Sequence, residues 1–278
     1  MTNKELEEMK EEINSLLHDM SKDHHTKTLF RDEIIRELCA ILISENKPNA
    51  MLIGPAGSGK TNIVEELARR IKSKDKNIPE KLMGYRVYSL RLSDIVSDTG
   101  IVGELEYKVK NLVNYLEADE NKAILFLDEA HILFGSEYYK RIAQMLKPAL
   151  SRGKFMVIGA TTTQEVKTLD NDPAFNRRFT RVMVDELTKD QTEKILENAA
   201  KGMEDHYGIK IRFNTDVARL LVRTADEFCS VGSHRPDNAL TLMDRAIASK
   251  VIELQSGLAK GEWADEVVLD DKLVNDTA

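Results

Sequence analysis

The residues best suited to chemistry in this 278-residue chain form a glycine-rich loop that ends in lysine and threonine. The run GPAGSGKT fits the pattern G-x-x-x-x-G-K-[ST], with a strand pattern before it and a helical pattern after it. Glycine has no Cβ, so the backbone N–H groups of such a loop can curl around phosphates. The predicted phosphate-binding residues are Gly54, Pro55, Ala56, Gly57, Ser58, Gly59, Lys60 and Thr61.

The last two residues of this loop have distinct predicted roles. Lys60 would reach the β and γ phosphates, and the Thr61 hydroxyl would bind Mg²⁺. The helix that begins there would point its positive end at the same phosphates. The loop therefore predicts a nucleoside triphosphate site, and a chance glycine-rich turn is the alternative interpretation.

Two carboxylates follow the apolar run AILFL, which is typical of a buried strand. Asp128 would hold Mg²⁺ directly or through water, and Glu129 would orient and polarise the attacking water. The alternative is that the pair only caps the next helix. Together with the phosphate loop, the pair predicts hydrolysis of the bound nucleotide.

Hydroxyl groups follow another apolar strand at residues 161–163. A threonine there, on the strand beside Asp128, could contact the γ-phosphate or the attacking water. Threonines often end strands, so this run alone is weak evidence for a nucleotide contact. Its position after the other motifs is what makes it a candidate.

Two arginines, Arg177 and Arg178, stand shortly before the last predicted strand. The planar, permanently charged guanidinium suits a transferring phosphoryl group. Insertion into a neighbouring subunit's site is the preferred interpretation, and a surface salt-bridging pair is the alternative.

Short apolar strands alternate with helical patterns between residues 28 and 186, which predicts a parallel sheet flanked by helices. Several of the motifs follow strands, at the edge where open α/β sheets bind ligands. The predicted fold class is therefore an α/β P-loop NTPase. The candidate strands are Ala50–Ile53, Arg86–Leu90, Ala123–Asp128, Phe155–Ala160 and Arg181–Val184.

Regions outside this α/β subdomain have simpler patterns. Residues 1–27 predict a charged helix over 3–20 and a linker; the helix would pack on the body or dock a partner. Residues 187–258 predict a small all-helical lid, with helices at 188–201, 215–228 and 236–255. Residues 259–278 form an acidic tail that would add an edge strand at 266–269 or hang loose.

The overall composition indicates a globular protein, with 42% apolar residues, 31% charged residues and a formal net charge of −7. This charge makes nucleic acid an unlikely partner, and the basic cluster between Arg69 and Arg86 reads better as a solvated helix end. No apolar stretch is long enough to span a membrane, and no signal peptide is evident. We interpret Cys39 and Cys229 as buried thiols of a protein in a reducing, cytoplasmic environment.

The assembled motifs resemble the AAA+ ATPases, most closely the first ATPase module of Clp-type protein unfoldases and disaggregases. The resemblance covers residues 29–258 and extends to the runs MLKPALSRG, GATTTQE, DPAFNRRF and HRPDNALTLMDRA. It implies ATP and Mg²⁺ as cofactors, a large α/β subdomain with a helical lid, and a homo-oligomeric ring of the hexameric type.

The resemblance also implies roles for individual residues. Asp128 and Glu129 would be the Walker B pair, and Thr162 would be the first sensor. Arg177 and Arg178 would be arginine fingers acting in trans. At the lid, Pro236 and Asp237 match the family and would contact the nucleotide, and Arg235 is a candidate second sensor that this type of module often lacks. Thr28–Arg31 would lie near adenine, with Phe30 where the family commonly has glycine.

The main departure lies in the predicted pore loop. In the family a tyrosine grips the substrate polypeptide, whereas the run GIVGELE places Ile101 there and Gly100 at the preceding basic position. Ile101 and Val102 are the candidate pore contacts, with less contact area and no π face. Tyr138 and Tyr139 could line a second pore loop, although an ordinary amphipathic helix start is the preferred interpretation.

Three functional hypotheses follow. The preferred one is an ATP-driven ring that remodels or unfolds a protein partner of unknown identity. The second is an ATP-dependent assembly switch that serves as a platform for a partner enzyme without threading it. The third, a DNA-transaction AAA+ ATPase, is supported only by the basic cluster and is opposed by the acidic balance.

Overall fold

The computed structural model describes residues 13, 15–22, 27–97, 102–153, 155–228, 232–257 and 266–278. Its contacts divide the chain into two units. The first unit consists of Met1–Gly54 and Lys60–Val184, and the second consists of Pro55–Gly59 and Asp185–Ala278.

The first unit is built on a six-stranded sheet in the order β1-β3-β4-β5-β2-β6. Strand β1 is antiparallel to β3, and all the other neighbouring strands are parallel. The strands are β1 (Leu17–Asp19), β2 (Asn49–Ile53), β3 (Arg86–Leu90), β4 (Ala123–Leu127), β5 (Met156–Thr161) and β6 (Thr180–Met183). The five strands predicted from the sequence are present, each within one residue of its predicted start and end.

Helices connect the parallel strands of this unit. They are α1 (Asp32–Leu42), α2 (Lys60–Lys72), α3 (Leu92–Ser97), α4 (Val102–Glu117), α5 (Glu137–Arg152), α6 (Val166–Asp170) and α7 (Pro173–Asn176). Short 3₁₀ helices lie at Met20–Lys22, Glu80–Leu82, Asp119–Asn121 and Ala130–Phe134.

The sheet has an apolar core on each face because successive side chains of a strand point to opposite sides. In β4, Ile124 and Phe126 join the core that contains α1 and α2. Leu125 and Leu127 join the core that contains α4 and α5. All five residues of β4 are buried, as the apolar run AILFL predicted.

The N-terminal segment corrects one prediction. A helix was expected over residues 3–20, but Leu17–Asp19 is a strand that pairs with β3 in the register Leu17↔Leu90. Leu17 is buried on the sheet, and the helical spacing of the apolar residues did not reveal this pairing. Residues 13, 15 and 16 are helical, as predicted, whereas residues 3–12 and 14 of the predicted helix lie outside the described part of the chain.

The second unit contains four helices among its described residues: α8 (Lys189–Tyr207), α9 (Thr215–Phe228), α10 (Asp237–Gly257) and α11 (Asp271–Thr277). Helix α8 begins with a capping box, in which Thr188 and Gln191 satisfy each other's backbone N–H groups. Strands β7 (Lys210–Arg212) and β8 (Glu266–Val268) form a short parallel sheet. The lid is therefore not purely helical, and the strand predicted in the acidic tail pairs with β7.

The predicted fold class, a parallel sheet flanked by helices and followed by a helical lid, is confirmed. Cys39 is buried, as predicted, whereas Cys229 lies outside the described residues. Among the residues that the structure describes, no helix combines the length and the apolar character needed to cross a bilayer.

Candidate active site

The phosphate loop takes a backbone shape that depends on glycine. Gly57 has φ +76° and Gly59 has φ +87°, a region that residues with a Cβ rarely adopt. Within the second unit, a Cβ on Gly57 would lie 2.7 Å from Cβ of Asp237 and 3.2 Å from the carbonyl oxygen of His234. The spacing of glycines in the motif therefore reflects both a turn and a close approach.

Lys60 begins α2, directly after this loop. Its Nζ donates a hydrogen bond of 3.0 Å to the carbonyl oxygen of Gly54, so the side chain folds back toward the start of the loop. Burial lowers the pKa of Lys60, and the nearby carboxylates of Asp128 and Glu165 only partly oppose that effect. The ammonium group thus lies between the start of the loop and the carboxylates of Asp128 and Glu165.

Thr61 and Asp128 come together at the carboxyl edge of the sheet. The Thr61 hydroxyl donates a 2.8 Å hydrogen bond to Oδ2 of Asp128, although 67 positions separate the two residues. A hydroxyl and a carboxylate are hard oxygen ligands of the kind Mg²⁺ prefers. Within the described residues there is no cluster of three or more His, Cys, Asp or Glu suited to a metal. The Thr61 hydroxyl and the Asp128 carboxylate fit Mg²⁺, which takes one or two protein ligands and completes its shell with phosphate and water.

Glu129 follows Asp128 in a left-handed backbone conformation, with φ +50°. Its N–H donates to Oδ1 of Asp128 at 3.0 Å, and its side chain is exposed. A non-glycine residue in this region of φ is uncommon and carries strain that recurs at functional sites. The next residues form a 3₁₀ helix, but the side chain of Glu129 makes no capping hydrogen bond. The geometry therefore does not favour a pure capping role for Glu129.

Thr162 lies directly after β5, where its hydroxyl donates a 2.7 Å hydrogen bond to Oε2 of Glu165. The same carboxylate accepts a hydrogen bond from the Thr162 N–H and lies 3.2 Å from Nδ1 of His131. Burial would raise the pKa of Glu165, but the hydrogen bonds from Thr162 outweigh it and lower the pKa.

Sequence reasoning missed Glu165 and His131 as members of this site. Glu165 stands three residues after Thr162 and His131 two residues after Glu129. Polar side chains so close to predicted catalytic residues were the available signal.

Arg177 and Arg178 lie at the amino ends of the strands, opposite the carboxyl ends that carry Asp128 and the phosphate loop. Thr180 is level with Ala50, near the start of β2, whereas the phosphate loop follows the end of β2 at Ile53. The carbonyl oxygen of Arg178 accepts a 3.2 Å hydrogen bond from Nδ2 of Asn49. At roughly 3.3 Å per residue, the backbone at Arg178 is about 16 Å from Gly54, farther than an arginine side chain reaches.

The arginines differ in their surroundings. Nε of Arg178 donates a 2.6 Å hydrogen bond to the Ser151 hydroxyl, and one of its terminal nitrogens is buried without a hydrogen-bond partner. Arg177 is exposed and makes no ion pair in the described part of the molecule. Both line an open cavity of about 450 Å³, together with Lys47 and Arg152.

In the second unit, Arg235 is held by acidic residues. Its backbone N–H and its Nε both donate to Oε1 of Glu186, at 2.8 and 3.1 Å, and Asp226 lies 3.5 Å away. Pro236 follows, and its carbonyl oxygen accepts a hydrogen bond from Leu240 inside α10. Nε of the candidate second sensor is therefore engaged by carboxylates of the second unit.

The pore predictions stay largely open. Ile101 lies outside the described residues, and the side chains of Val102 and Tyr138 are not described. Tyr139 is partly buried and packs on the apolar core of the first unit. Its N–H donates to the Ser136 hydroxyl at 3.4 Å, so it belongs to a capped helix start. For Tyr139, these contacts support the preferred interpretation, which was an ordinary amphipathic helix start.

The basic cluster is partly neutralised within the first unit. Arg69 and Arg70 both bind Glu66, and Arg70 also binds Asp32 at 2.6 Å. Lys72 donates to the carbonyl oxygen of Ser21. These internal contacts weaken the case for a nucleic-acid surface here.

Two family comparisons cover most of the chain. Residues 50–187 match the ATPase family associated with various cellular activities (AAA). Residues 188–268 match the AAA lid domain. Both matches agree with the resemblance identified from the motifs.

Curated relatives include bacterial ClpB chaperones. The chain is 40% identical over 241 residues to the ClpB protein of Dichelobacter nodosus, covering 85% of this chain and 27% of that protein. It is 37% identical over 229 residues to the ClpB protein of Meiothermus ruber, covering 81% and 26%. The chain therefore spans about a quarter of the length of these relatives.

Solved structures of yeast Hsp104 are similar as well. An Hsp104–casein complex from S. cerevisiae matches with a TM-score of 0.83 and 30% identity, covering 96% of this chain and 44% of that chain. An Hsp104–ADP complex matches with a TM-score of 0.82 and 31% identity, with the same coverage. The similarity to Clp-type disaggregases predicted from the sequence is confirmed.

Proposed function

Because the chain belongs to the AAA family of ATPases, we propose that it hydrolyses ATP with Mg²⁺ and uses the energy to remodel a protein partner. Its ClpB relatives are named as chaperones, and one similar Hsp104 structure contains casein. Both names support a polypeptide as the partner of this chain.

In this proposal, the carboxyl edge of the sheet binds the nucleotide. Lys60 contacts the β and γ phosphates, and Thr61 and Asp128 hold the Mg²⁺ ion. Support comes from the 2.8 Å contact of Thr61 with Asp128 and from the position of Lys60 beside Asp128 and Glu165. Within the second unit, Asp237 stands beside Gly57 of the loop, since a Cβ added to Gly57 would lie 2.7 Å from Cβ of Asp237.

Glu129 is the proposed general base for the attacking water. Its exposed carboxylate stands beside the Mg²⁺ ligand, and its backbone is in a strained conformation. Thr162 is the proposed sensor. Its hydroxyl donates to Glu165, so a γ-phosphate would compete for that hydroxyl.

The observation that carries the proposal is the separation of the arginines from the phosphate loop of their own chain. The Arg178 backbone is fixed beside Asn49, at the amino end of the strand whose carboxyl end carries the loop. An arginine at that edge serves catalysis only by entering the site of another subunit. A homo-oligomeric ring follows, and a hexamer is the proposed size.

The two arginines divide the work in this proposal. Arg177 is exposed and is the finger that stabilises charge on the transferring phosphoryl group. Arg178 is tied to Ser151 and anchors the segment to the end of α5. Arg235 acts as a strut inside the lid, since Glu186 and Asp226 hold its guanidinium.

The deciding experiment is the solution mass of the Glu129→Gln variant with Mg-ATP and without nucleotide. This variant should bind ATP, hydrolyse it at least about 100-fold more slowly, and assemble only when ATP is present. Glu253→Gln, a surface change in the lid, is the matched control and should hydrolyse ATP normally. A monomer under both conditions would contradict the trans-acting arginine, and normal turnover by Glu129→Gln would remove it as the base.

A second candidate function is an ATP-dependent platform that binds a partner without threading it. The burial of Tyr139 against the core favours this candidate, because it removes one aromatic residue from a possible pore lining. Ile101→Ala separates the two functions. Threading of an unfolded client would fail in that variant with hydrolysis retained, whereas a platform would bind its partner as before.

A further inference from the structure

One buried polar side chain joins the nucleotide-binding strands to the arginine segment. Asn49 is the first residue of β2 and is completely buried. Its Nδ2 donates to the carbonyl oxygen of Arg178 at 3.2 Å. Its Oδ1 accepts from the backbone N–H of Val157 in β5 at 3.1 Å.

These two bonds account for the polar side chain at a buried position. The residues that follow in β2 are apolar, and an apolar residue would suit the same environment. Burying an amide is costly unless it forms hydrogen bonds, and removing one partner leaves the other unsatisfied. Asn49 therefore fixes three backbone segments that are far apart in sequence.

The strands held by Asn49 both end in the proposed ATP site. Strand β2 leads into the phosphate loop through Ile53, and β5 ends at Thr161, next to the proposed sensor. Two paired strands form a stiff unit, so a displacement at their carboxyl ends is transmitted to their amino ends. At that end, the Nδ2 bond ties the strands to the segment that carries Arg177 and Arg178.

We infer that Asn49 is a positioning residue, which sets the place of the arginine finger relative to the two strands that hold the nucleotide of its own subunit. This role rests on the proposed trans-acting arginine. Asn49 touches neither the nucleotide nor the reacting atoms. Its loss should impair hydrolysis in the neighbouring subunit and leave the site of its own chain intact.

The variants to prepare are Asn49→Ala and Asn49→Asp. The alanine removes both bonds, whereas the aspartate keeps an acceptor for Val157 and removes the donor to Arg178. Each variant alone should bind fluorescent ADP within about 2-fold of wild type and hydrolyse ATP about 10- to 100-fold more slowly, as expected for a misplaced catalytic group. If the alanine variant does not fold, the aspartate variant carries the same test.

Mixed rings test the role directly. Glu129→Gln subunits supply an undisplaced finger and no base, whereas Asn49→Ala subunits supply a working base. An equal mixture should recover about a quarter of the wild-type rate, because half of the subunits have a base and half of their neighbours have a placed finger. A purely structural defect in the site of the Asn49 variant would not be rescued by mixing.

The control mixture combines Arg177→Ala with Glu129→Gln. If both the control mixture and the Asn49 mixture recover activity, the inference is supported. If only the control mixture recovers, the positioning role of Asn49 is overturned and the trans-acting arginine finger still holds. If neither mixture recovers although both assemble with Mg-ATP, the proposed finger fails and the role of Asn49 fails with it. Loss of ADP binding by both Asn49 variants would also overturn the inference.

Discussion

The carboxyl and amino edges of the central sheet carry opposite kinds of charge. At the carboxyl edge, the carboxylates of Asp128 and Glu165 lie near Lys60, and the exposed Glu129 follows Asp128. At the amino edge, four cationic side chains and one carboxylate, that of Glu45, line one open cavity; the cations are Lys47, Arg152, Arg177 and Arg178. In the proposed function, the first edge holds a metal-bound triphosphate, and the second approaches the triphosphate of a neighbouring copy. In that proposal, each active site combines the carboxyl edge of one copy of the chain with the amino edge of another.

The variant with the largest expected effect tests whether the amino edge contributes to catalysis but not to nucleotide binding. Arg177→Ala should lower kcat at least about 1000-fold, because an arginine finger stabilises charge only in the transition state. The affinity for ADP should not change. Steady-state phosphate release and fluorescent ADP binding measure the two quantities, with the surface variant Arg219→Ala as the control. If the variant also lost affinity for ADP, Arg177 would contribute to nucleotide binding, and the two edges would not have separate roles.

Lys60→Ala tests the carboxyl edge in the complementary way. Removing a charged donor to phosphate should weaken ATP binding about 100-fold, from the usual strength of charge-assisted hydrogen bonds. Titration calorimetry in the presence of Mg²⁺ gives the affinity. Lys250→Ala, which removes a surface lysine paired with Glu253, should bind ATP normally. Unchanged binding by the Lys60 variant would show that the loop does not hold the phosphates.

Leu17→Ala changes the sheet away from both functional edges. Leu17 is 7% exposed, so the truncation should lower the free energy of unfolding by about 2 kcal/mol. Urea unfolding measures this loss. The kcat of the folded protein should stay at the wild-type value at 25 °C. A fall in kcat would indicate that strand β1 influences the active site. The comparison of the carboxyl and amino edges would then have to include β1.

Asp172→Asn gives the smallest expected effect and concerns the arginine segment. Burial would raise the pKa of Asp172, but the bond from Lys147 and the backbone N–H of Phe175 outweigh it and lower the pKa. A carboxylate with a lowered pKa stabilises the fold above its ordinary pKa of 3.8, and this contribution disappears as pH falls through the lowered value. The variant should lose about 1 kcal/mol of unfolding free energy at pH 7.

The pH dependence of this loss provides the check. The difference between wild type and Asp172→Asn, followed by urea unfolding, should narrow as pH falls below 3.8. A difference that stays constant with pH would mean that the charge of Asp172 does not contribute.

The sequence allowed prediction of the sheet and of the groups at its carboxyl edge, because both depend on local patterns. Apolar runs such as AILFL predict buried strands, and glycine spacing predicts the phosphate loop. The strand Leu17–Asp19 was predicted as helix, since its pairing with β3 is a long-range contact without a local signal. Asn49 escaped notice for a similar reason: a polar residue before a strand resembles a loop residue until its partners are known.

Side-chain partners account for the rest of what sequence reasoning missed. The two arginines looked equivalent in the sequence, and only the Ser151 and Asn49 contacts distinguish Arg178 from Arg177. In the same way, the sequence did not reveal that Glu186 and Asp226 engage Nε of Arg235. Motifs identify residue types at sites, whereas the assignment of a role requires the neighbours.

The order of the strands has a consequence for solubility during folding. Strand β3 is covered by β1, but β6 is the outer strand of the other side, and within the described residues no further strand covers it. An uncovered strand invites pairing with strands of other chains and so promotes aggregation. Strand β6 has four residues, three of them exposed, and Arg181 within it forms an ion pair with Asp170. Short length and charge at this position reduce the tendency of the sheet to grow by edge-to-edge addition.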